Sequence, residues 1–420
     1  MDLETAQTLI SPAGCSLIAN AEAAIQGGAD RTRLLLTLRK GGCSPELAAG
    51  VWAIVDGRRR ARVKFGDLAD TLFTVPEALE QATGHVLARY HAVRFREAGF
   101  EAVTDLTGGI GGDAIAFASA GLRVTLIECD PVRALFAREN ARLAGLGDRI
   151  EVIEGDAASF EVRTPAVWLD PARRIDKRRV IDPESYSPPL SLITTLHSSG
   201  VAAVGVKLAS AVERDTAMPY NGSLEFVSES GECKEALLWT GALRLEPAVS
   251  AVMVTASRTE EPPAAGLAAN VIRYGEDGMP RRYETEPSSS FGYLYEPDPA
   301  VIRAGLVEDL AAVLNASAID PQIAYLTGPD LFHTPWADAF EILDRMPYRP
   351  KNVQKALRER GVGRVIVKKR GVPIEPEDVA RELKLDGPNE MILILSRIGQ
   401  QRIAFLCHRC GRTANGAGLV

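Results

Sequence analysis

Two hydrophobic rhythms alternate along this chain. Over residues 1 to about 97, apolar side chains recur at three- and four-residue intervals, as in Leu34-Leu35-Leu36 with Leu38 and over residues 47–55. That spacing predicts helices. Ser44-Pro45-Glu46 is a helix start, with Ser at the cap and Pro in the first turn. Pro76 opens a further helix, 77 to about 97, with Gly84 as a break point. From 98 to about 246, short strand-like runs alternate with helical ones. Strands are expected at 102–106, 123–128, 150–154, 166–170, 201–208, 224–228 and 236–240. Helix-like or long connections separate the first five, which implies a parallel sheet. Only 229–235, containing Gly231, joins the last two. That is a hairpin-length link, so this pair should be antiparallel.

Residues 247–290 hold a β-rich run at 249–255 and then Pro-, Gly- and Ser-rich stretches at 261–266 and 286–290, an extension and linker. A small α+β region follows over 291–412, with strands expected at 292–295, 322–326, 337–343, 364–369, 390–397 and 402–407 and helices at 299–314, 351–360 and 376–383. Residues 413–420 read as a flexible tail. The organisation expected is therefore a helical domain at 1–97, an α/β domain at 98–246, the extension, and the C-terminal α+β domain. No internal repeat interrupts it.

Composition narrows the class. At roughly 150 residues per domain, a 420-residue chain suggests two or three domains. No apolar run reaches the roughly 18 residues of a membrane span, and no signal peptide is apparent. Six scattered cysteines fit a reducing cytoplasm better than a disulfide framework. The net charge of −7 argues against indiscriminate nucleic-acid binding by the whole surface but permits local basic patches.

The candidate chemistry begins at Asp105-Leu106-Thr107-Gly108-Gly109-Ile110-Gly111-Gly112-Asp113, between the first strand and a helix-like run. Glycines at such a turn let backbone N–H groups approach a bound nucleotide. Gly109-x-Gly111-x-x-Ala114, with Glu128 at the end of strand two, fits a dinucleotide fingerprint. Three further features favour another ligand: Asp105 before the glycines, Asp156 after strand three, and Asp170-Pro171 ending strand four. All fall at the carboxyl edge of the sheet, where open α/β folds bind ligands. Asp113 can be a ligand or a favourable charge in a helix's first turn.

These motifs resemble the class I S-adenosylmethionine-dependent methyltransferases, whose Rossmann-like sheet is parallel with a terminal antiparallel hairpin. The stretch from Gly109 to Ala118 is similar to trimethylguanosine-synthase-like RNA methyltransferases. Glu80-Gln81-Ala82-Thr83, Asp170-Pro171-Ala172-Arg173-Arg174, Val206-Lys207-Leu208-Ala209-Ser210 and Val367-Lys368-Lys369-Arg370-Gly371 resemble bacterial methyltransferases with a C-terminal THUMP-like domain, over about residues 75–409. The resemblance implies S-adenosyl-L-methionine as cofactor. Asp105 with Thr107, Gly108, Gly109, Gly111 and Asp113 would hold its methionine end, Glu128 the ribose and Asp156 the adenine. Asp170 and Pro171 would line the transfer pocket, with Lys207 in reach of it. Carboxylates make charge-assisted bonds with the hydroxyl, amino and ammonium donors of this cofactor. Ala172 and Arg173 stand where amino-group methyltransferases often carry Pro-aromatic, which leaves base stacking by this loop in question.

Two basic clusters suggest a partner. Arg173, Arg174, Lys177, Arg178 and Arg179, opposed by Asp176, follow strand four. Ten Arg and Lys residues between Arg345 and Arg370 face only Glu359, among them Lys368, Lys369 and Arg370. Such asymmetry is the footprint of a nucleic acid, though a solvated loop and an ordinary charged helix have the same composition. Arg58, Arg59, Arg60, Arg62 and Lys64 form a weaker patch. Cys407-His408-Arg409-Cys410 lacks a second ligand pair, so no metal site is expected. His85 and His91, on a predicted helix, read as packed or exposed rather than catalytic. The chain is thus expected to be a cytoplasmic methyltransferase acting on RNA, a tRNA or rRNA base. The alternatives are a small-molecule or protein methyltransferase, or an RNA-binding protein with a vestigial cofactor site.

Overall fold

A computed structural model of the protein describes residues 1–172, 174–175, 178–179, 182–255, 270–273 and 292–411; at 174–175, 178–179, 270–273 and 411 only the backbone is considered. The Pro/Gly/Ser-rich stretches at 261–266 and 286–290, the tail, and Arg173, Asp176 and Lys177 lie outside the described residues. Two compact units emerge. The first comprises Met1–Leu224 and Ala236–Leu245, with Val254 and Thr255; the second comprises Glu225–Glu235, Glu246–Met253 and the described residues from 270 on.

The first unit opens with α1 (Leu3–Ile10), α2 (Pro12–Gln26), α3 (Arg31–Lys40), α4 (Pro45–Phe65), α5 (Pro76–Gln81) and α6 (His85–Glu97). Asp2, Ser11, Asp30 and Ser44 cap the first four, each side chain accepting an amide of the first turn. These helices bury Leu9, Ile18, Leu34, Val51, Ile54 and Phe73 in a core that also takes Ile110, Val132 and Phe136 from the α/β region. One buried side chain makes three hydrogen bonds at this junction. Asn140 accepts the Phe73 amide (2.8 Å) and donates to the carbonyls of Phe73 (2.9 Å) and Ile110 (3.0 Å).

Then follow β1 (Ala102–Asp105), α7 (Gly112–Ser119), β2 (Arg123–Glu128), α8 (Pro131–Leu143), β3 (Ile150–Glu154), β4 (Ala166–Leu169), a small ribbon β5 (Arg174–Ile175) and β6 (Arg178–Arg179), α9 (Leu192–Ser198), β7 (Ala203–Leu208), β8 (Ser223–Glu229), β9 (Glu232–Gly241), β10 (Val249–Val254) and β11 (Asn270–Arg273). The main sheet has the order β11-β10-β8-β9-β7-β4-β1-β2-β3. The pairs β1–β2, β2–β3, β1–β4 and β4–β7 are parallel, and β9 runs antiparallel to β7. This is the sheet expected from the strand pattern.

Two details differ from the pattern. The link between β8 and β9 is two residues, not seven. Ser230 (φ 54°) and Gly231 (φ 79°) are both left-handed, the requirement of a tight primed hairpin turn, so β9 starts at Glu232. Within the expected linker, β11 pairs antiparallel with β10 and lengthens the sheet.

In the second unit, β12 (Tyr293–Pro297), α10 (Pro299–Ala304), α11 (Val307–Val313), β13 (Ser317–Asp320), β14 (Ile323–Gly328), β15 (Ala337–Pro347), α12 (Pro350–Glu359), β16 (Val362–Lys369), α13 (Pro376–Leu383), β17 (Asn389–Ile398) and β18 (Gln401–Gly411) build a sheet of order β13-β14-β12-β15-β18-β17-β16. The helix expected over 299–314 is two, because Gly305 at φ 74° ends the first. Strand β13, too short to stand out in the sequence, hairpins onto β14. Both faces of the sheet are covered. Met391, Leu393 and Leu395 pack with Val353 and Leu357 of α12 and Val379 of α13. The alternate residues Ile392 and Ile394 join Tyr325, Phe340 and Phe405 in a second core.

Candidate functional site

The strand ends bring the expected acids together. Asp105 ends β1 and is 1% exposed; its Oδ1 accepts the Thr107 amide at 3.1 Å. Glu128 ends β2 and is also buried. Its Oε2 accepts the Gly109 amide at 2.9 Å, while Oε1 accepts the Asp130 amide (2.8 Å) and Arg133 Nε and Nη2 (3.1 and 2.8 Å). The glycine loop is therefore already held, with the Gly108 amide on the Ile127 carbonyl at 3.0 Å as a further tie.

The glycines serve different needs. Gly109 (φ 55°) and Gly111 (φ 91°) sit in the left-handed region. Gly108 is required by packing instead: a Cβ there would lie 2.1 Å from Leu126 Cγ of β2. Asp156 is exposed, its Oδ1 turned onto the Ala158 amide at 3.1 Å.

At the end of β4, the Asp170 amide donates to Thr107 Oγ1 at 2.6 Å, and Pro171 is buried. Ala172 exchanges two backbone hydrogen bonds with Ser187 (2.9 and 3.1 Å), which pins the loop after the motif. Lys207, from β7, donates to Asp170 Oδ2 at 2.6 Å and to Thr83 Oγ1 at 2.8 Å. Asp113 does not merely cap α7. It is buried and hydrogen-bonded to His91 Nδ1 at 2.9 Å, and the His91 ring packs on Trp168 with centroids 4.3 Å apart. Sequence reasoning missed this: His91 and Asp113 lie on different helices, and no spacing rule joins them.

The electrostatics follow from burial. Desolvation pushes Asp105 well above the usual carboxylate range, and the Asp113 charge adds to it. Burial also acts on Asp113, but the His91 hydrogen bond and charge, with Lys207 and Thr83, outweigh it and hold this carboxyl below the ordinary range. Asp105 has no cation within 4 Å among the described residues. An ammonium group fits that vacancy of charge, and a strand-end acid set beside a held glycine loop fits an adenosyl ribose.

The basic clusters divide. Arg173 and Lys177 lie outside the described residues, as do the side chains of Arg174, Arg178 and Arg179. In the second cluster, strand alternation separates neighbours. Lys368 stands beside Ile394 on one face and pairs with Glu296; Arg370 reaches Glu296 at 3.7 Å; Lys369 faces the other way and pairs with Glu375 at 2.7 Å. Arg360 and Arg364 pair with Asp344 and Glu390 at 2.9 and 3.1 Å. The run expected to form one patch is thus balanced by carboxylates from elsewhere. Lys351, Lys355 and Arg358 do share one exposed stripe of α12, opposite the buried Val353, Ala356 and Leu357. The patch at 58–64 is likewise engaged: Arg58, Arg59, Arg60 and Arg62 pair with Glu22, Asp56, Glu80 and Asp70. No group of three His, Cys, Asp or Glu that could hold a metal occurs among the described residues, and none of their helices is long and apolar enough to cross a membrane.

Comparison with known proteins gives the class. An uncharacterized S-adenosylmethionine-dependent methyltransferase of Mycobacterium tuberculosis H37Rv is 32% identical over 350 residues, spanning 81% of this chain and 90% of the relative. The chain belongs to the S-adenosylmethionine-dependent methyltransferases. Within that class, residues 100–193 match the RNA cap guanine-N2 methyltransferase family, and residues 337–409 match the THUMP domain-like family, so the C-terminal region carries a THUMP-like domain. The ribosomal RNA small subunit methyltransferase J of Rhodopseudomonas palustris HaA2 is 42% identical over 79 residues, 16% of this chain and 36% of that protein. The fold is that of a Porphyromonas gingivalis W83 protein described as a methyltransferase, with a TM-score of 0.73, 21% identity, and coverage of 94% of this chain and 98% of the other.

Proposed function

We propose that this protein transfers a methyl group from S-adenosyl-L-methionine to a base of structured RNA, a tRNA or rRNA. The observation that carries the reading is the meeting of Asp105, Glu128 and Asp170 at adjoining strand ends, with Asp105 buried and short of a cation. When bound, the cofactor supplies an electrophilic methyl group on a sulfonium. Asp105 would take its ammonium, with the backbone of Thr107, Gly108, Gly109 and Gly111 and the Asp113 carboxylate helping to hold the methionine end. Glu128 accepts from the ribose, and Asp156, once turned from Ala158, from the adenine amino group. Asp170, oriented by Thr107 and Lys207, hydrogen-bonds the acceptor or takes its proton, and Pro171 lines the pocket. Most of the rate comes from such positioning.

RNA as acceptor is supported by the family match at 100–193, the THUMP-like domain and the α12 stripe. Arg173 and Arg174 follow the catalytic loop and would contact phosphate there. Lys351, Lys355 and Arg358 are the readiest contacts in the second cluster. Lys368, Lys369 and Arg370 join them only by exchanging Glu296 and Glu375 for phosphate. Incubation with cofactor carrying a labelled methyl group and total cellular RNA, followed by nucleoside mass spectrometry, tests the proposal. One labelled nucleoside is expected; label in protein or metabolites alone sinks it.

A further inference from the structure

One link from the N-terminal helices to the catalytic edge is a hydroxyl. Thr83 lies in the turn between α5 and α6 and is 4% exposed. Its Oγ1 accepts from Lys207 Nζ at 2.8 Å, and it helps to hold the Asp113 carboxyl below the ordinary range. The polarity of this bridge is fixed by chemistry. An ammonium only donates, so a lone pair of the Thr83 hydroxyl receives Lys207. The same Lys207 ammonium donates to Asp170 Oδ2 at 2.6 Å. Thr83 therefore fixes where that ammonium sits, and with it the Asp170 carboxylate.

The turn that carries Thr83 is itself held in place. Lys64, in the last turn of α4, points its ammonium at three carbonyls, those of Leu79 (2.9 Å), Glu80 (3.1 Å) and Ala82 (3.1 Å). Three donors meet three acceptors at the end of α5, where carbonyls have no helical partner. The Lys64 carbonyl in turn accepts from His85 Nδ1 at 2.8 Å, on the far side of Thr83. A continuous set of bonds runs from α4 through this turn to β7 and β4.

We infer that Thr83 is a positioning residue for methyl transfer, and that helices α4 to α6 complete the active site by holding it. The role rests on the reading of Asp170 given above. Nothing in it requires Thr83 to touch cofactor or acceptor.

Thr83→Val keeps the shape of the side chain and removes the bridge. With total cellular RNA as acceptor, kcat should fall about ten- to hundredfold, the loss typical of a small misplacement of reacting groups. Cofactor affinity by calorimetry should stay within about twofold, and Thr83→Ser should recover most of the rate, since the hydroxyl is what matters. Thr83→Cys, whose thiol is a poor acceptor, serves if the Val variant does not fold.

A second readout needs no acceptor: limited acetylation followed by peptide mass spectrometry, in which the Val variant should label Lys207 several times faster than the parent. A parent that binds cofactor but leaves RNA unmethylated defeats the RNA reading alone, and the labelling then decides the role of Thr83. Parental kcat, or parental labelling where RNA is no substrate, overturns the inference, as does a variant that loses only thermal stability.

Discussion

Arg133 directs two of its three guanidinium nitrogens at one oxygen of Glu128, while the other oxygen, Oε2, is turned onto the Gly109 amide. The carboxylate expected to hold the ribose thus also holds the glycine loop. Glu128→Gln should weaken cofactor binding by roughly 1.5–3 kcal/mol, the value of a hydrogen bond to a charged group. Arg133→Gln should cost about 1 kcal/mol or less in stability, because the guanidinium is partly exposed and water screens the pair. Calorimetric titration with cofactor and thermal melts check the two. Unchanged affinity in the Glu128 variant would contradict the assignment.

Asp105 makes the apo protein pH-sensitive. Below the unfolded-state value of about 4 the carboxyl is protonated in both states and costs nothing. Above it, the unfolded chain gives up a proton that the folded chain keeps, since burial and Asp113 raise the folded value. Stability attributable to this group falls as pH rises, until Asp105 ionises in the folded state too. Asp105→Asn should therefore melt higher than the parent near neutrality and alike below about pH 4, while losing cofactor affinity. Cofactor binding by the parent should release a proton, seen as a dependence of the binding enthalpy on the ionisation heat of the buffer.

The pair Lys207–Asp170 is buried enough that breaking one side leaves a stranded charge. Lys207→Met should destabilise by about 3 kcal/mol or more. Adding Asp170→Asn should return part of that loss. Chemical denaturation of the two single variants and the double variant measures the coupling, and additive losses would show that the pair is not coupled.

On the THUMP-like domain, neutralising Lys351, Lys355 and Arg358 together should lower RNA affinity and reduce the slope of log K against log salt by about 2. Lys368→Gln should leave that slope unchanged, because Glu296 already balances it. Filter binding at several salt concentrations separates the two outcomes.

Gly108 tests why a glycine stands in the loop. Gly108→Ala drives a methyl group into Leu126 and should cost about 1–3 kcal/mol as overpacking. Leu126→Ala in the same chain should relieve part of it. Failure of that rescue would put the need for glycine in the backbone rather than in packing.

These residues also mark what a sequence discloses. Strands β2 and β3 have the bounds their apolar runs predict, and Asp105, Glu128 and Asp170 meet because parallel strands bring their carboxyl ends to one edge. Their partners were not legible. Thr83 lies 124 residues from Lys207, and Phe73 lies 67 from Asn140. Such pairings depend on how α4 to α6 lie against the sheet, which no local periodicity encodes. In the C-terminal domain, composition suggested one basic patch, whereas the alternation of β16 sends Lys368 and Lys369 to opposite faces and to different carboxylates.

Asn140 sets a practical limit on transplanting this methyltransferase core. The Phe73 and Ile110 carbonyls share one amide nitrogen, so a hybrid that borrowed the sheet from residue 98 onward would inherit a buried side chain with two of its three hydrogen bonds gone. The Asn140 side chain that holds the Ile110 carbonyl of the loop would then lack its support from Phe73. The smallest portable catalytic cassette of this protein therefore begins well upstream of its first strand.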